Sequence, residues 1–215
     1  MATKIKAKVT LTEEMLGSAP ANKDIYSEYI AKNNPNGIDP KEVDAVNDAD
    51  NGEKGITVFP RDEDGNVALF DYQVKGFFKD ACGILRMCDD TESGKVKAYK
   101  KCIDGAIFVY PRMIRLNLPE GKGIGYCERP LRAETMQGPR VSLAKSETVP
   151  EGTTFEFEVE ILKRDLTKAV VEWLEYAEKR GFGQWRNSGK GRAKVTYEVV
   201  EDKEKKPTKK AIDKE

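Results

Sequence analysis

The hydrophobic period of this chain changes twice near its C-terminal end, and this change constrains the fold more than any other feature. Between Phe155 and Ile161 apolar residues alternate with acidic ones, which is typical of a strand with one buried face. From Leu166 to Ala177 the apolar residues recur at helical spacing, with Asp165 as candidate N-cap and Gly181 placed to end the helix. Alternation then returns from Val195 to Val199. The sequence therefore predicts a strand, a helix and a strand here.

The first half of the chain carries a similar succession of periods. Lys4 to Leu11 alternates strictly and predicts a strand, and Val74 to Leu85 has the spacing of an amphipathic helix. Ile107 to Tyr110 predicts a short strand, which we expect to continue through Ile114 to Leu118 after Pro111. The combined order is strand, helix, strand, strand, helix, strand. It predicts an α+β, ferredoxin-like βαββαβ core, with four antiparallel strands and two helices on one face.

Two long insertions interrupt this predicted core. We expect residues 1–200 to form a single domain, with an acidic insertion at 12–72 after the first strand. A second insertion at 119–150, rich in glycine, proline and arginine, predicts a loop or hairpin before the third strand. Residues 201–215 carry mixed charge and few apolar side chains, so they predict a disordered tail.

Charge is balanced over the whole chain but unevenly placed along it. The 37 basic and 37 acidic residues give a net charge of zero, which argues against indiscriminate coating of nucleic acid. Residues 13–64, where short helices are predicted at 24–32 and 39–47, hold 13 acids and 5 bases. Residues 179–194 hold 6 bases and no acid, and residues 100–140 hold 8 bases and 4 acids. This asymmetry suits a local anion-binding face, and the alternative is an ordinary solvated surface.

The absence of histidine excludes several classes of site. A chain with no histidine has no Ser-His-Asp triad, no imidazole base and no mixed Cys/His zinc site. None of the four cysteines forms a Cys-x-x-Cys pair, so we expect free thiols, a cytoplasmic location and no metal or other cofactor. No apolar run approaches membrane-spanning length, and the N-terminus opens directly into a strand pattern, so neither a membrane partner nor a signal peptide is expected.

A glycine-rich basic segment from Arg180 to Arg192 lies between the second predicted helix and the last strand. Its four glycines allow tight turns and close approach to a ligand, and its cations suit phosphate. Trp185 and Phe182 offer π-faces to a base, whereas Trp173 occupies a core position of the preceding helix. The segment therefore predicts a nucleic-acid site formed by Gly183, Gln184, Trp185, Arg186, Asn187, Ser188, Lys190 and Arg192.

Three segments follow one another along the chain: Tyr72–Lys79, Ser146–Glu158 and Gly181–Arg192. In this order they resemble the RAMP superfamily of CRISPR-associated proteins, in particular the RNA-binding backbone subunits of type III effector complexes. The resemblance, which fits a solitary or phage-borne relative, implies a ferredoxin-like, RRM-related core that binds single-stranded RNA through its backbone. It also implies that Lys75 and Lys79 approach the strand, and the free N–H groups at the start of their helix would favour phosphate.

A second arginine-bearing segment holds Arg129, Arg132 and Arg140. As a nucleic-acid contact it would be a finger that grips a strand or a neighbouring subunit, as the resemblance suggests. The alternative is a charged loop that pairs with the acidic residues of 13–64. The sequence leaves both interpretations open.

Four functions fit these patterns. The first is non-catalytic binding of single-stranded nucleic acid, RNA more than DNA, by copies assembled along the strand. The second is binding or sequestering a small or cyclic oligonucleotide signal in an anti-defence role. The third is a metal-dependent ribonuclease, for which Asp24, Asp62 and Asp64 are the only candidate catalytic residues. The fourth is assembly with identical copies or other effector subunits. We expect binding without catalysis.

Overall fold

The computed structural model describes residues 2–20, 56–135 and 138–201, and it describes the side chains of these residues except at 131–135, 138–143 and 201. The helices predicted at 24–32 and 39–47 and the tail beyond residue 201 lie outside this description. Within it, no helix is long and apolar enough to cross a membrane.

Strands and helices both contribute to the described part of the chain, which confirms the predicted α+β class. In chain order the elements are β1 (Thr3–Leu11), β2 (Met15–Leu16), β3 (Ala19–Pro20), β4 (Ile56–Val58), β5 (Ala68–Phe70), α1 (Asp71–Leu85), α2 (Tyr99–Ala106), β6 (Ile107–Tyr110), β7 (Met113–Arg115), β8 (Gly125–Thr135), β9 (Gly138–Val149), β10 (Thr154–Ile161), α3 (Thr167–Arg180) and β11 (Ala193–Glu201).

The main sheet has four antiparallel strands in the order β11, β1, β10, β6. Its central strand β1 alternates strictly, so that Ile5 and Val9 are buried while Lys6 and Lys8 are exposed. Ile5 pairs with Val159 on one side and with Val199 on the other. Since side chains alternate across a strand, the apolar residues of β1 and β10 share the face that packs against the helices.

The two insertions contribute a second sheet. The segment at 119–150, predicted as a loop or hairpin, is the hairpin of β8 and β9. Strand β9 also pairs with β2 and with β4, and β4 pairs with β3, so part of the insertion at 12–72 is organised in short strands. The expected continuation of β6 through Ile114 to Leu118 is interrupted, and the chain returns to β10 only at the bridge between Asn117 and Thr154. The chain bends after β6, and β7 pairs with β5, where Ile114 lies opposite Leu69.

Helices α1 and α3 cover the sheet where the apolar periodicity predicted them. Helix α1 starts at Asp71, and its preceding Phe70 N–H donates to Oε1 of Gln73 at 2.8 Å. Helix α3 starts at Thr167, so Asp165 is not its N-cap; a 3-10 turn precedes the helix, and Asp165 instead pairs with Lys163 at 3.0 Å. Gly181 ends α3 as predicted, with φ of +74°.

Trp173 lies in the core, as its helical spacing predicted. It is fully buried, and its ring centroid lies 5.6 Å from that of Phe78 on α1. Its indole Nε1–H donates to Oγ of Ser93 at 2.8 Å, and the neighbouring Glu172 accepts from the N–H of Ser93 at 2.9 Å. A large buried ring whose polar atom is also bonded ties α3 to α1 and to the chain around Ser93.

Candidate nucleic-acid interface

The glycine-rich loop after α3 is closed by contacts between its own two ends. The Phe182 N–H donates to the carbonyl oxygen of Gly191 at 2.8 Å. A Cβ on Gly181 would lie 2.4 Å from the carbonyl carbon of Gly191, and one on Gly191 would lie 1.9 Å from the oxygen of Phe182. Both residues have positive φ, so only glycine permits this crossing.

The same loop is anchored to the turn between β1 and β2. The Gly191 N–H donates to the oxygen of Glu14 at 2.8 Å, and the Thr12 N–H donates to the oxygen of Arg192 at 2.8 Å. A Cβ on Gly183 would lie 2.5 Å from the oxygen of Leu16. The close approach that the glycines allow is therefore made to the protein's own backbone, which corrects the expectation that it serves a ligand.

Phe182 is not available to a base, contrary to the sequence-based expectation. It is 2% exposed, and its ring centroid lies 4.2 Å from that of Phe77 and 5.4 Å from that of Phe155. It extends the core beneath the loop. Because its neighbours come from α1 and β10, this role was not readable from the loop sequence.

Acidic residues from other parts of the chain form ion pairs with most of the loop's cations. Nε of Arg180 lies 2.7 Å and Nη1 of Arg186 lies 3.1 Å from Oδ2 of Asp80 on α1, and Nζ of Lys190 bonds to Glu14. Burial lowers the pKa of Arg186, whereas the hydrogen bond with Asp80 raises the pKa of Arg180. The loop has no acid of its own, yet these cations are already paired.

The remaining predicted residues of the loop differ in whether they already have a hydrogen-bond or ion-pair partner within the fold. The Asn187 side-chain oxygen accepts from Nη1 of Arg180 at 2.7 Å, and the Ser188 hydroxyl donates to the oxygen of Trp185 at 2.9 Å. Arg192 is exposed, and no ion pair is described for it within the residues that the structure covers. Arg192 is thus the loop cation best placed to meet an external anion.

Trp185 is presented to solvent by an unusual backbone. Its φ of +53° and ψ of +35° are left-handed, a conformation that bulky residues rarely adopt, and its side chain is 42% exposed. The guanidinium of Arg129 on β8 lies 5.0 Å from the ring centroid, a cation–π contact, and its Nη2 donates to Gln184 at 3.2 Å. The structure thereby brings together three residues predicted from two separate segments.

Only some of the hydrogen-bond donors of the Arg129 guanidinium have a partner in this cluster. Its Nε and Nη1 atoms are buried and have no hydrogen-bond partner among the described residues. Arg132 and Arg140 lie farther along the same hairpin, where Arg132 pairs with Val141 and Arg140 with Ala133. Their side chains are outside the described part, so their contacts stay a prediction.

Lys75 and Lys79 lie on the flank of α1 that faces α2, where both contact Asp104. Nζ of Lys75 lies 4.9 Å from the ring centroid of Phe108, and burial lowers its pKa. Nζ of Lys79 lies 2.5 Å from Oδ1 of Asp104 on α2. Both lysines already have a partner within the fold, and the structure does not bring them to the loop.

A cavity of about 190 Å³ opens between the start of α1 and the glycine-rich loop. The rings of Phe77 and Phe182 contribute apolar lining, and Ser18, Gln73 and Arg186 contribute polar groups. Of the lining residues, sequence reasoning singled out Phe182, Gly183 and Arg186 as contacts. Ser18 belongs to the acidic insertion, where nothing in the local pattern marked it.

The candidate catalytic aspartates do not form a cluster. Burial opposes the ionisation of Asp62, but hydrogen bonds from Asn66 and from the Asp64 N–H outweigh it and lower its pKa. The side chain of Asp64 is 80% exposed and lies 4.0 Å from Arg115. Asp24 lies outside the described residues. Over the part that is described, no group of three potential ligands could hold a metal ion.

The open face of the main sheet carries adjacent rows of opposite charge. Lysines of β1 lie beside glutamates of β10, and the Lys4–Glu158 and Lys8–Glu156 pairs have N–O distances of 3.0 and 2.9 Å. This surface neutralises itself. A polyanion would gain less there than at the loop.

Comparisons with known proteins find a likeness in fold. No family model matches the chain, and no curated protein matches it. A chain in the cryo-EM structure of the Type III-B Cmr-beta bound to cognate target RNA superposes with a TM-score of 0.55 at 12% sequence identity. The match covers 93% of this chain and 61% of that one, so this chain spans about three fifths of its length. The chain is thus similar in fold to a component of an RNA-bound CRISPR type III structure.

Proposed function

We propose that the main sheet with α1 and α3 is a ferredoxin-like βαββαβ core, within one domain spanning residues 1–200. The strand order β11, β1, β10, β6 and the position of one helix after β1 and another after β10 support this topology. The three sequence segments and the likeness in fold together support a RAMP-type relation. A cytoplasmic location follows from that relation as part of the proposal.

The proposed function is non-catalytic binding of single-stranded nucleic acid, RNA rather than DNA. The observation that carries it is the exposed ring of Trp185, held in a left-handed backbone with the Arg129 guanidinium beside it. A left-handed backbone at a bulky residue costs free energy, and such conformations are concentrated at functional sites. An exposed ring next to a cation suits a stacked base with its phosphate, a pairing that tolerates any sequence.

The β8–β9 hairpin and the loop would form the two sides of this binding surface. Arg129 reaches Trp185 from the hairpin, Arg192 is exposed on the loop, and Arg132 and Arg140 extend the basic character along the hairpin. The structure similar in fold is bound to RNA, and this also favours RNA as partner. Assembly of copies or of other effector subunits along one strand would place such surfaces in series.

The test compares Trp185 with a matched aromatic residue of the β8–β9 hairpin. Tyr126 on β8 is 60% exposed, and Nζ of Lys145 lies 5.0 Å from its ring centroid, as Arg129 does from Trp185. Tyr126 and Arg129 lie on opposite faces of the hairpin because side chains alternate along a strand. Trp185→Ala should weaken binding of a labelled single-stranded RNA by about 1–3 kcal/mol, whereas Tyr126→Ala should leave it unchanged.

Fluorescence anisotropy measures both affinities, and tryptophan emission provides a second readout. RNA should quench Trp185, while the buried Trp173 should not respond. Equal affinity of the wild type and a folded Trp185→Ala variant would rule out stacking on this ring. Cleavage of the RNA in the presence of Mg²⁺ would overturn the non-catalytic assignment.

A further inference from the structure

The cavity at the start of α1 has the size of one planar ring system. Its volume of about 190 Å³ is below the roughly 300–1,000 Å³ of pockets that hold drug-sized ligands. Phe77 and Phe182, whose ring centroids are 4.2 Å apart, contribute apolar surface to it. Tyr72 adds a third ring to the lining. Because the Phe77 and Phe182 rings are each 2% exposed, a base would contact the cavity mainly through its polar lining and the half-buried Tyr72. A space of this size suits a single nucleobase and excludes a whole nucleotide pair.

The polar lining of the cavity is arranged to donate hydrogen bonds. Nε2 of Gln73 donates to Oγ of Ser18 at 2.6 Å, and Oε1 of Gln73 accepts from the Phe70 N–H, so both polar ends of Gln73 are occupied. The Ser18 hydroxyl accepts from Gln73 and retains its own proton to donate. Of the guanidinium nitrogens of Arg186, only Nη1 has a described partner.

Among the residues that the structure describes, no carboxylate lines the cavity. Asp80, which is bonded to Arg186, is also bonded to Arg180 and is absent from the lining. Arg186 is the charged group of the described lining, and a guanidinium has donors only, so it favours a base edge that offers acceptors. Arginine pairs best with guanine, whose O6 and N7 accept two parallel N–H bonds.

We propose that this cavity binds one unpaired guanine base of a single strand, with Arg186 donating to its acceptor edge and Ser18 contributing a further donor. The proposal rests on the proposed function and adds base selectivity at one position to a contact that is otherwise independent of sequence. Asp80 acts as a positioning residue, because it holds Arg186 against the cavity through α1.

Gly76 offers a substitution that fills the cavity without disturbing the fold. It lines the cavity on α1, and a Cβ placed there meets no atom within 4 Å. Leucine also favours helix over glycine, so Gly76→Leu should not lower the melting temperature. Gly123→Leu is the matched control, because a Cβ at Gly123 also meets no atom within 4 Å and Gly123 lies outside the cavity lining.

The experiment measures the anisotropy of labelled twelve-nucleotide RNAs, all adenine or with one central guanine, cytosine or uracil. The wild type should bind the guanine RNA about tenfold more tightly than the all-adenine RNA, the range expected for one bidentate arginine contact. Gly76→Leu should bind every RNA at the all-adenine level. Gly123→Leu should keep the guanine preference.

Four results would overturn the proposal. Equal binding of all four RNAs by the wild type, or a guanine preference that survives in folded Gly76→Leu, removes the cavity as a base site and leaves the proposed function standing. A preference for another base overturns the assignment of guanine. Failure to bind any of the RNAs overturns both the cavity site and the proposed function.

Discussion

The two tryptophans of this chain occupy opposite environments in adjoining regions. Trp173 on α3 is fully buried, with its indole N–H bonded to Ser93 and its ring against Phe78. Trp185 in the glycine-rich loop is 42% exposed, on a left-handed backbone, with Arg129 beside it. In α3 the helical period decides where the ring points, whereas in the loop the turn geometry decides it.

This contrast separates Trp173, whose role in stability is evident, from Trp185, whose conformation costs free energy and requires another explanation. The environment of Trp173 gains free energy from burial and from a satisfied polar atom. Trp185 combines an unfavourable backbone with incomplete burial, and its contact with Arg129 returns only a modest gain at a partly exposed site. The balance favours a function in binding for the loop tryptophan.

Removing the buried ring should have the largest effect of all. Trp173→Ala should lower the free energy of unfolding by about 3–5 kcal/mol, because it leaves a cavity between α1 and α3. Urea denaturation measures this loss, and the affinity of the remaining folded protein for RNA should be unchanged. A loss below about 1 kcal/mol would break the contrast, since Trp173 would then not be a core residue in energetic terms.

The alanine and glycine variants should have opposite orders of stability at the two tryptophan positions. At Trp185 the glycine variant should be more stable than the alanine variant by about 1 kcal/mol, because glycine adopts the left-handed backbone without strain. At Trp173 alanine should be the more stable by a similar amount, because the position is inside a helix. Chemical denaturation of the four variants tests the reversal, and the same order at both sites would contradict the assigned backbones.

The smallest expected effect concerns the pairing of Lys190 with Glu14. Hydrogen bonding to Glu14 raises the pKa of Lys190 above the lysine value of about 10.4. The charged pair therefore stabilises the fold from neutral pH up to about 10.4, and this contribution disappears as the pH rises through the higher pKa of the folded state.

Lys190→Gln should lower the free energy of unfolding by less than about 1 kcal/mol near neutral pH, since the pair is partly exposed. The difference from the wild type should vanish in strongly alkaline solution. Lys194→Gln, an exposed residue of β11 with no acidic partner among the described residues, is the control and should show no such convergence. A pH-independent difference at Lys190 would mean that packing, and not charge, links the loop to Glu14.

The sequence by itself determined those features that a local period or a single residue type encodes. The alternation around Phe157 and the helical spacing around Val170 predicted β10 and α3, and Gly181 ends the helix where expected because it can adopt positive φ. The same periodicity placed Trp173 in the core. Helix α2 was not anticipated, although Tyr99, Cys102, Ile103 and Ala106 have helical spacing, which was its available signal.

Only the tertiary structure decided which partners the loop residues meet. Asp80 reaches Arg186 from α1, Glu14 reaches Lys190 from the first turn, and Phe182 fills a space left by two distant elements. The pairing of β7 with β5 in place of an extended β6 has the same origin. Ion pairs, cavities and strand partners depend on distances between residues far apart in sequence, and local periodicity carries no information about those distances.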